Sequence, residues 1–129
     1  MTLQVGLTGN YGSDIDLVVD EFKNEGIPVF DADLVIRFLI NYDTDIFDSI
    51  KNKYGNDIYN KNKTYSILDI FAISKLFDDL LDITESKFWR IYNDFLDKHT
   101  QYLYIIFKSH ILYERGFNDF MDKNINAFT

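Results

Sequence analysis

The chain has 129 residues, 47% of them hydrophobic and 26% charged, with no cysteine and a formal net charge of −8. This composition predicts one globular domain and excludes the disordered, collagen-like and disulfide-stapled classes. The negative charge disfavours nonspecific nucleic-acid binding and adsorption to anionic membranes, because both need clustered Lys and Arg. No apolar run approaches the ~20 residues of a membrane-spanning helix, and a cytoplasmic protein is expected.

The first third of the chain predicts a strand, a helix and a second strand. Residues 3–8 (LQVGLT) form a short apolar run that ends at Gly9, which is typical of a buried strand entering a turn. Residues 14–25 follow, and their apolar positions have the spacing of one helix face: Ile15, Val18, Val19 and Phe22. Gly26 favours the end of that helix, and residues 27–30 (IPVF) predict the second strand.

The rest of the chain predicts mainly helices and one more strand. Four segments are expected first, in this order: helices over 33–42 and 45–54, a loop over 56–63, and helical pieces over 66–81. The spacing of Asp82 and Glu85 then indicates a capping box that begins another helix. Residues 102–107 (YLYIIF) predict the third strand and 108–117 a short helix, whereas 118–129 show no strand pattern.

Alternating strands and helices predict an α/β fold. Crossovers between parallel strands place helices on both faces of a sheet, and strands that are apolar on both faces suit that arrangement. We therefore expect a single three-layer domain over 1–129, in which helices flank a parallel sheet of about three strands.

The turn after the first strand has the strand–glycine–helix layout of a phosphate-binding loop. In the motif G-x-x-x-x-G-K-S/T, backbone amides cradle phosphate, the lysine neutralises charge and the hydroxyl binds magnesium. Here Gly9 is in register, whereas Asp14, Ile15 and Asp16 stand at the second glycine, the lysine and the hydroxyl positions. The sequence therefore predicts a degenerate phosphate loop that ATP does not occupy, made of Gly9, Gly12, Ser13, Asp14 and Asp16.

Two physical effects oppose phosphate at this loop. A carboxylate ~5 Å from a phosphate charge is repelled by about 3 kcal/mol at an effective dielectric constant near ~20. Ser13 and Asp16 also have the spacing of a helix N-cap and its third-position acid, and their oxygens can occupy the amide donors that phosphate would use. We expect a loop that is closed on itself.

Several segments resemble one known family. VGLTGNYGS over 5–13 resembles the V-G-L-T-G-G-I-G-S-G-K-S start of dephospho-coenzyme A kinases, and GIPVFDAD over 26–33 resembles their G-x-x-V-x-D-A-D. FDSIKNKYGND over 47–57 and YLYIIFKSHILYE over 102–114 are similar to later segments of that family. The resemblance implies a P-loop kinase fold that phosphorylates dephospho-coenzyme A with ATP, and it implicates Asp31, the first Asp of D-A-D, in catalysis.

The same resemblance suggests an acceptor side of the site. Asp31, Asp33 and Arg37 are the candidates there, for binding an acceptor, another ligand or a cation. A structural alternative is that the two aspartates cap the helix that follows. The family continues past the end of this chain through a lid and two strands. With three strands, the first becomes an apolar edge that residues 117–128 or a second subunit would cover.

Three functions stay open. The leading hypothesis is a non-catalytic pseudo-kinase that contacts an unknown protein or a second copy of itself, as a small phage-type accessory protein in a host cytoplasm. The second keeps binding of a nucleotide or coenzyme A, or kinase-like activity. The third, an acidic mimic of nucleic acid, is disfavoured because the aspartates are scattered. We expect no cofactor, metal, membrane or nucleic-acid partner and no catalytic residue, and His110 shows no acid partner.

Overall fold

The structure, a computed structural model, describes residues 2–10, 14–54 and 74–127. The chain divides into two compact units. The first contains Met1–Ala32 and Tyr92–Thr129, and the second contains Asp33–Ile91. The predicted loop over 56–63, and the part of the predicted helical segment before Ser74, lie outside the described residues.

Strands and helices alternate as the sequence predicts. In chain order, the elements of the described residues are β1 Leu3–Thr8, α1 Ile15–Asn24, β2 Val29–Asp31, α2 Ala32–Tyr42, α3 Thr44–Tyr54, α4 Ser74–Asp97, β3 Tyr104–Lys108, a 3₁₀ helix Phe117–Phe120 and β4 Lys123–Asn126. None of the helices in these ranges is long and apolar enough to cross a bilayer.

The strands form one parallel sheet in the order β2-β3-β1-β4. This confirms the predicted α/β class, with a fourth strand that the sequence analysis did not include. The prediction that residues 118–129 hold no strand is wrong, because Lys123–Asn126 pair with β1. Every residue of β4 is exposed, so no apolar run marks it. Of the two ways in which β1 was expected to be covered, the structure has the first, because part of the segment 117–128 pairs with β1 as β4.

One face of the sheet packs against α1. The buried cluster there consists of Val5, Leu7, Ile15, Val19 and Ile106. The β1 and β3 members alternate with residues that point to the other face, as the two-residue period of a strand requires. Apolar spacing along α1 therefore predicts correctly which helix positions reach the sheet.

The other face is built around Phe107, which is fully buried. Its ring centroid lies 5.6 Å from Phe30, 5.0 Å from Tyr92 and 5.3 Å from Phe117. The Tyr92 hydroxyl donates a hydrogen bond to Oε1 of Gln4 at 2.7 Å. Burial, with a smaller contribution from Asp122, raises the pKa of Tyr92 above its usual value. Residue 92 thus keeps its proton and joins α4 to β1.

In the second unit, Asp43 begins α3 and anchors a charged cluster. The backbone amide of Ile46 donates to Oδ1 of Asp43 at 3.0 Å, the geometry of an N-cap. Lys87 Nζ donates to both Asp43 oxygens at 2.8 Å and to Asp45 at 3.2 Å. The hydrogen bond from Lys87, more than any other contact, lowers the pKa of Asp43.

Two local expectations are wrong. The predicted capping box at Asp82 and Glu85 does not begin a helix, because α4 runs through it without a break. The hydroxyl of Thr84, between them, donates to the Leu81 carbonyl at 2.8 Å within the helix. The predicted helix over 108–117 is absent too: residues 110–116 form turns, ending at Gly116 with a φ of 78°. That left-handed backbone suits glycine and ends any helix there.

We predict that Phe107→Ala destabilises the protein by about 3–5 kcal/mol, because the substitution leaves a cavity among three aromatic rings. Leu103→Ala is the matched control, since that side chain is 84% exposed, and it should change the free energy of unfolding by less than ~0.5 kcal/mol. Urea denaturation measures both. Similar losses for the two variants would contradict the placement of Phe107 at the centre of this face.

We predict a pH-dependent effect of Asp43→Asn, which keeps an N-cap oxygen but removes the charge. Because the folded-state pKa of Asp43 is lowered, its stabilising contribution is present above the unfolded value near ~4 and is lost as the pH falls through the folded value. The variant should therefore be less stable than the wild type at pH 7, and the difference should shrink towards acid.

Thermal unfolding from pH 7 down to acid tests this. Asp48→Asn on the exposed side of α3 is the control and should show no comparable pH-dependent difference. A gap for Asp43→Asn that grows on acidification would contradict the assigned ion pair.

Candidate functional site

The candidate site lies where three neighbouring strands end. Open parallel sheets bind ligands outside the carboxyl ends of their strands. Here β3 lies between β2 and β1, and the last residues of these strands are Asp31, Lys108 and Thr8. Residues that are far apart in sequence therefore share one edge of the first unit.

The start of the phosphate loop is held by the segment that follows β3. The backbone amide of Ser109 donates to the Leu7 carbonyl at 3.0 Å. The Nδ1 atom of His110 lies 2.7 Å from the Gly9 carbonyl. Because a carbonyl only accepts hydrogen bonds, this contact is a hydrogen bond in the tautomer that carries a proton on Nδ1. These bonds fix the backbone of Gly9, which is buried as well.

Two predicted loop residues, Gly12 and Ser13, lie outside the described residues, and the prediction that Ser13 is the N-cap is wrong, because α1 begins one residue later. Asp14 occupies the N-cap position of α1, but its side chain makes no capping hydrogen bond. Its carbonyl accepts from the Val18 amide at 3.0 Å. Asp14 and Asp16 are both exposed, and Asp16 lies in the first turn, where the helix dipole favours a carboxylate.

Position 15 is part of the core. Ile15 is only 1% exposed and packs in the cluster with Leu7 and Ile106. In the phosphate-loop motif this position carries the lysine that neutralises phosphate. The helix therefore uses this position for apolar packing, and no cation reaches a ligand from it.

Asp31 and Lys108 form an ion pair at the ends of β2 and β3. They are direct partners in the parallel register, and Nζ of Lys108 lies 3.4 Å from Oδ2 of Asp31. The Lys108 side chain is 9% exposed and the Asp31 side chain 37% exposed. The carboxylate is thus open to solvent on one side, while the ammonium lies largely beneath the surface.

The other two acceptor-side candidates belong to the second unit. Asp33 is 6% exposed and lies in the first turn of α2, where a carboxylate is favoured by the helix dipole. Arg37 lies on an exposed position of the same helix. The structure therefore groups Gly9 and Asp31 at one sheet edge.

Sequence reasoning missed Lys108 and underrated His110. Both lie far along the chain from their partners: Lys108 is 77 positions after Asp31, and His110 is 101 positions after Gly9. The available signal was a lysine directly after the apolar run YIIF. In the described part of the chain, no cluster of three or more His, Asp or Glu side chains is placed to hold a metal ion.

Comparison with known proteins agrees with the resemblance. The family model "CoaE: Dephospho-CoA kinase" matches residues 3–125. A dephospho-CoA kinase from Buchnera aphidicola is 43% identical over 60 residues, which cover 46% of this chain and 29% of that protein. One from Clostridium tetani is 35% identical over 77 residues, covering 57% of this chain and 34% of that protein.

Structural comparison supports the fold. The crystal structure of TT1252 from Thermus thermophilus matches with a TM-score of 0.74 and 16% sequence identity. The match covers 98% of this chain and 65% of the other chain. The fold is P-loop kinase-like, and the aligned segment spans about a third of the length of the curated relatives.

We predict that Ile15→Lys lowers the free energy of unfolding by about 3 kcal/mol or more, because it places an ammonium among apolar side chains. Ile15→Val is the control and should cost only about 1 kcal/mol. Urea denaturation measures both variants. Equal costs would show that a side chain at position 15 reaches solvent, and would contradict its place in the core.

Proposed function

Since this chain belongs to the dephospho-CoA kinase family, we propose that it binds a dephospho-coenzyme A-like nucleotide without phosphorylating it from ATP. The observation that carries the proposal is the burial of Ile15, the residue at the position of the loop lysine. Family membership supports the ligand class, and the burial of Ile15 supports the proposal that ATP is not used.

Two positions of the phosphate loop have lost the groups that phosphoryl transfer uses. Catalysis of this reaction consists of positioning plus neutralising the charge of the transferred phosphate. Ile15 offers no charge, and the hydroxyl that would bind magnesium is replaced by Asp16. Exposed carboxylates at Asp14 and Asp16 add repulsion, which solvent reduces below the ~3 kcal/mol expected at an effective dielectric constant of ~20.

The acceptor side keeps a usable carboxylate. Asp31 ends β2 at the ligand-binding edge of the sheet, and its side chain is partly exposed. Lys108 pairs with it in a direct contact. A carboxylate in this setting can accept a hydrogen bond from a ribose hydroxyl of the ligand.

A second candidate function is the one that sequence analysis placed first, a pseudo-kinase that works through protein contacts. An apolar stripe on α2 favours it: Leu34, Phe38 and Tyr42 are spaced four residues apart and are 56%, 57% and 66% exposed. The Phe38 and Tyr42 rings lie 5.4 Å apart. The partner in this case would be an unknown protein or a second copy of this chain. The contact would form in the cytoplasm, and for a viral protein this would be the cytoplasm of the host cell.

Family membership supports ligand binding better than it supports a role in protein contacts. The matched relatives are dephospho-CoA kinases that align with 46% and 57% of this chain, and the family model matches residues 3–125. An assay for the kinase activity of the family is therefore the test of this proposal.

We predict that dephospho-coenzyme A raises the melting temperature of the protein, because a ligand that binds only the folded state stabilises it by mass action. ATP with Mg²⁺ should give a smaller shift or none. Radiolabelled ATP with dephospho-coenzyme A should yield no labelled coenzyme A. Asp31→Asn should weaken the shift, whereas Asp48→Asn, on an exposed position of α3, should leave it unchanged.

The outcomes separate the candidates. Labelled product above a no-protein control would overturn the non-catalytic proposal and establish the activity of the family. No shift with dephospho-coenzyme A at millimolar concentration would end ligand binding. A mass that rises with protein concentration, and falls in Phe38→Ser, would then support the contact function.

A further inference from the structure

Lys108 is a buried lysine in the middle of the candidate site. It ends β3, the strand between β1 and β2, and only 7% of the residue is exposed. Its register partners are Leu7 on one side and Asp31 on the other. Lysines are almost never this buried without partners for the ammonium, because removing the charge from water is costly.

The ammonium is poorly satisfied by the described part of the chain. It carries three N–H donors, and its partner there is one oxygen of Asp31 at 3.4 Å. Charge-assisted hydrogen bonds are usually ~2.7–2.9 Å long. Lys87 has a side chain that is 33% exposed, yet it reaches both Asp43 oxygens at 2.8 Å and Asp45 at 3.2 Å. The more buried lysine is the less satisfied one, which points to an anionic acceptor from outside the chain.

The surroundings favour an anion at this place. Ile106, two residues before Lys108 on β3, belongs to the cluster that packs against α1, so Lys108 lies on the same face as α1. The ten-residue helix α1 follows β1 and begins at the same edge of the sheet, and a helix N-terminus carries a partial positive charge and amide donors that have no partner within the helix. The Asp14 side chain does not take those donors. The ammonium of Lys108 and the N-terminus of α1 therefore lie on the same face and at the same edge of the sheet.

We propose that Lys108 is the phosphate-binding cation of this chain, and that it contacts the diphosphate group of a nucleotide ligand. The lysine that binds phosphate thus lies at the end of β3 and not at position 15, where α1 needs an apolar residue for packing. The pair with Asp31 holds the ammonium at the strand end. This inference rests on the proposed ligand binding, and it names the group that recognises the phosphates.

Isothermal titration with inorganic pyrophosphate at low salt tests the contact directly. Lys108→Met keeps the length of the side chain without its charge, and should weaken pyrophosphate binding about tenfold or more. Lys123→Met, the same substitution on the exposed strand β4, should leave the affinity within about twofold. Melting temperatures of both variants establish that they are folded.

Asp31→Asn gives a second readout with the opposite sign. Removing the carboxylate should tighten pyrophosphate binding several-fold, because it no longer competes for the ammonium. Under a purely structural role of the pair, Asp31→Asn lowers the melting temperature and leaves binding unchanged. Equal pyrophosphate affinities for the wild type and Lys108→Met, or no tightening in Asp31→Asn, would overturn the proposal.

Titrations with ADP, dephospho-coenzyme A and adenosine identify the source of the phosphates. If Lys108→Met weakens the binding of ADP alone, Lys108 contacts the donor nucleotide. If it weakens the binding of dephospho-coenzyme A, Lys108 contacts the acceptor. Adenosine should show no dependence on Lys108. If dephospho-coenzyme A binds the wild type and Lys108→Met equally, this inference fails while the proposed function stands. If only pyrophosphate binds, the proposed function fails.

Discussion

Hydrogen bonding of β3 to strands on both sides is the constraint on which the site depends. Its register places Lys108 beside Leu7 and Asp31, and it places Phe107 on the opposite face among aromatic rings. A slip of one residue would exchange the two side chains between the faces, because side chains alternate along a strand. The charge would then lie in the aromatic core and the ring at the ligand edge. Burial of Phe107 and pairing of Lys108 therefore specify the same register.

Much of the fold was predictable, because its main elements follow local patterns. The apolar runs of β1 and β3 and the helical spacing around Ile15 were sufficient for the α/β class. β4 was not predictable in this way, since its exposed residues KNIN gain strand structure only by pairing with β1. The sequence predicts a break in α4 at Asp82, because a capping box and a helix interior have similar composition. Whether Asp82 begins a helix or lies inside one depends on whether the residues before it are helical, and the local spacing of Asp82 and Glu85 does not show that.

The candidate site was predictable only where a motif is contiguous. Gly9 and Asp31 stand in short segments of fixed spacing, and the structure places both at the expected edge. Lys108 and His110 reach that edge through strand order, which no local pattern contains. The burial of Ile15 combines both kinds of information. The helical spacing predicts an apolar core residue at position 15, whereas the loop motif has a lysine there. Because the residue is isoleucine, this chain satisfies the packing requirement and not the phosphate-binding one.

The distance along the chain between β1 and its partners has a consequence for biosynthesis. Leu3 pairs with Tyr104 and Val5 with Lys123, so roughly 100 residues are made after β1 before either neighbour exists. At ~5–20 residues per second, the ribosome needs about 5 to 20 seconds for that length. During this interval β1 is an apolar segment without its sheet, and such segments are where nascent chains recruit chaperones or aggregate. β1, which leads into the phosphate loop, is thus synthesised before the strands that pair with it, and it gains its second neighbour only when β4 has been made.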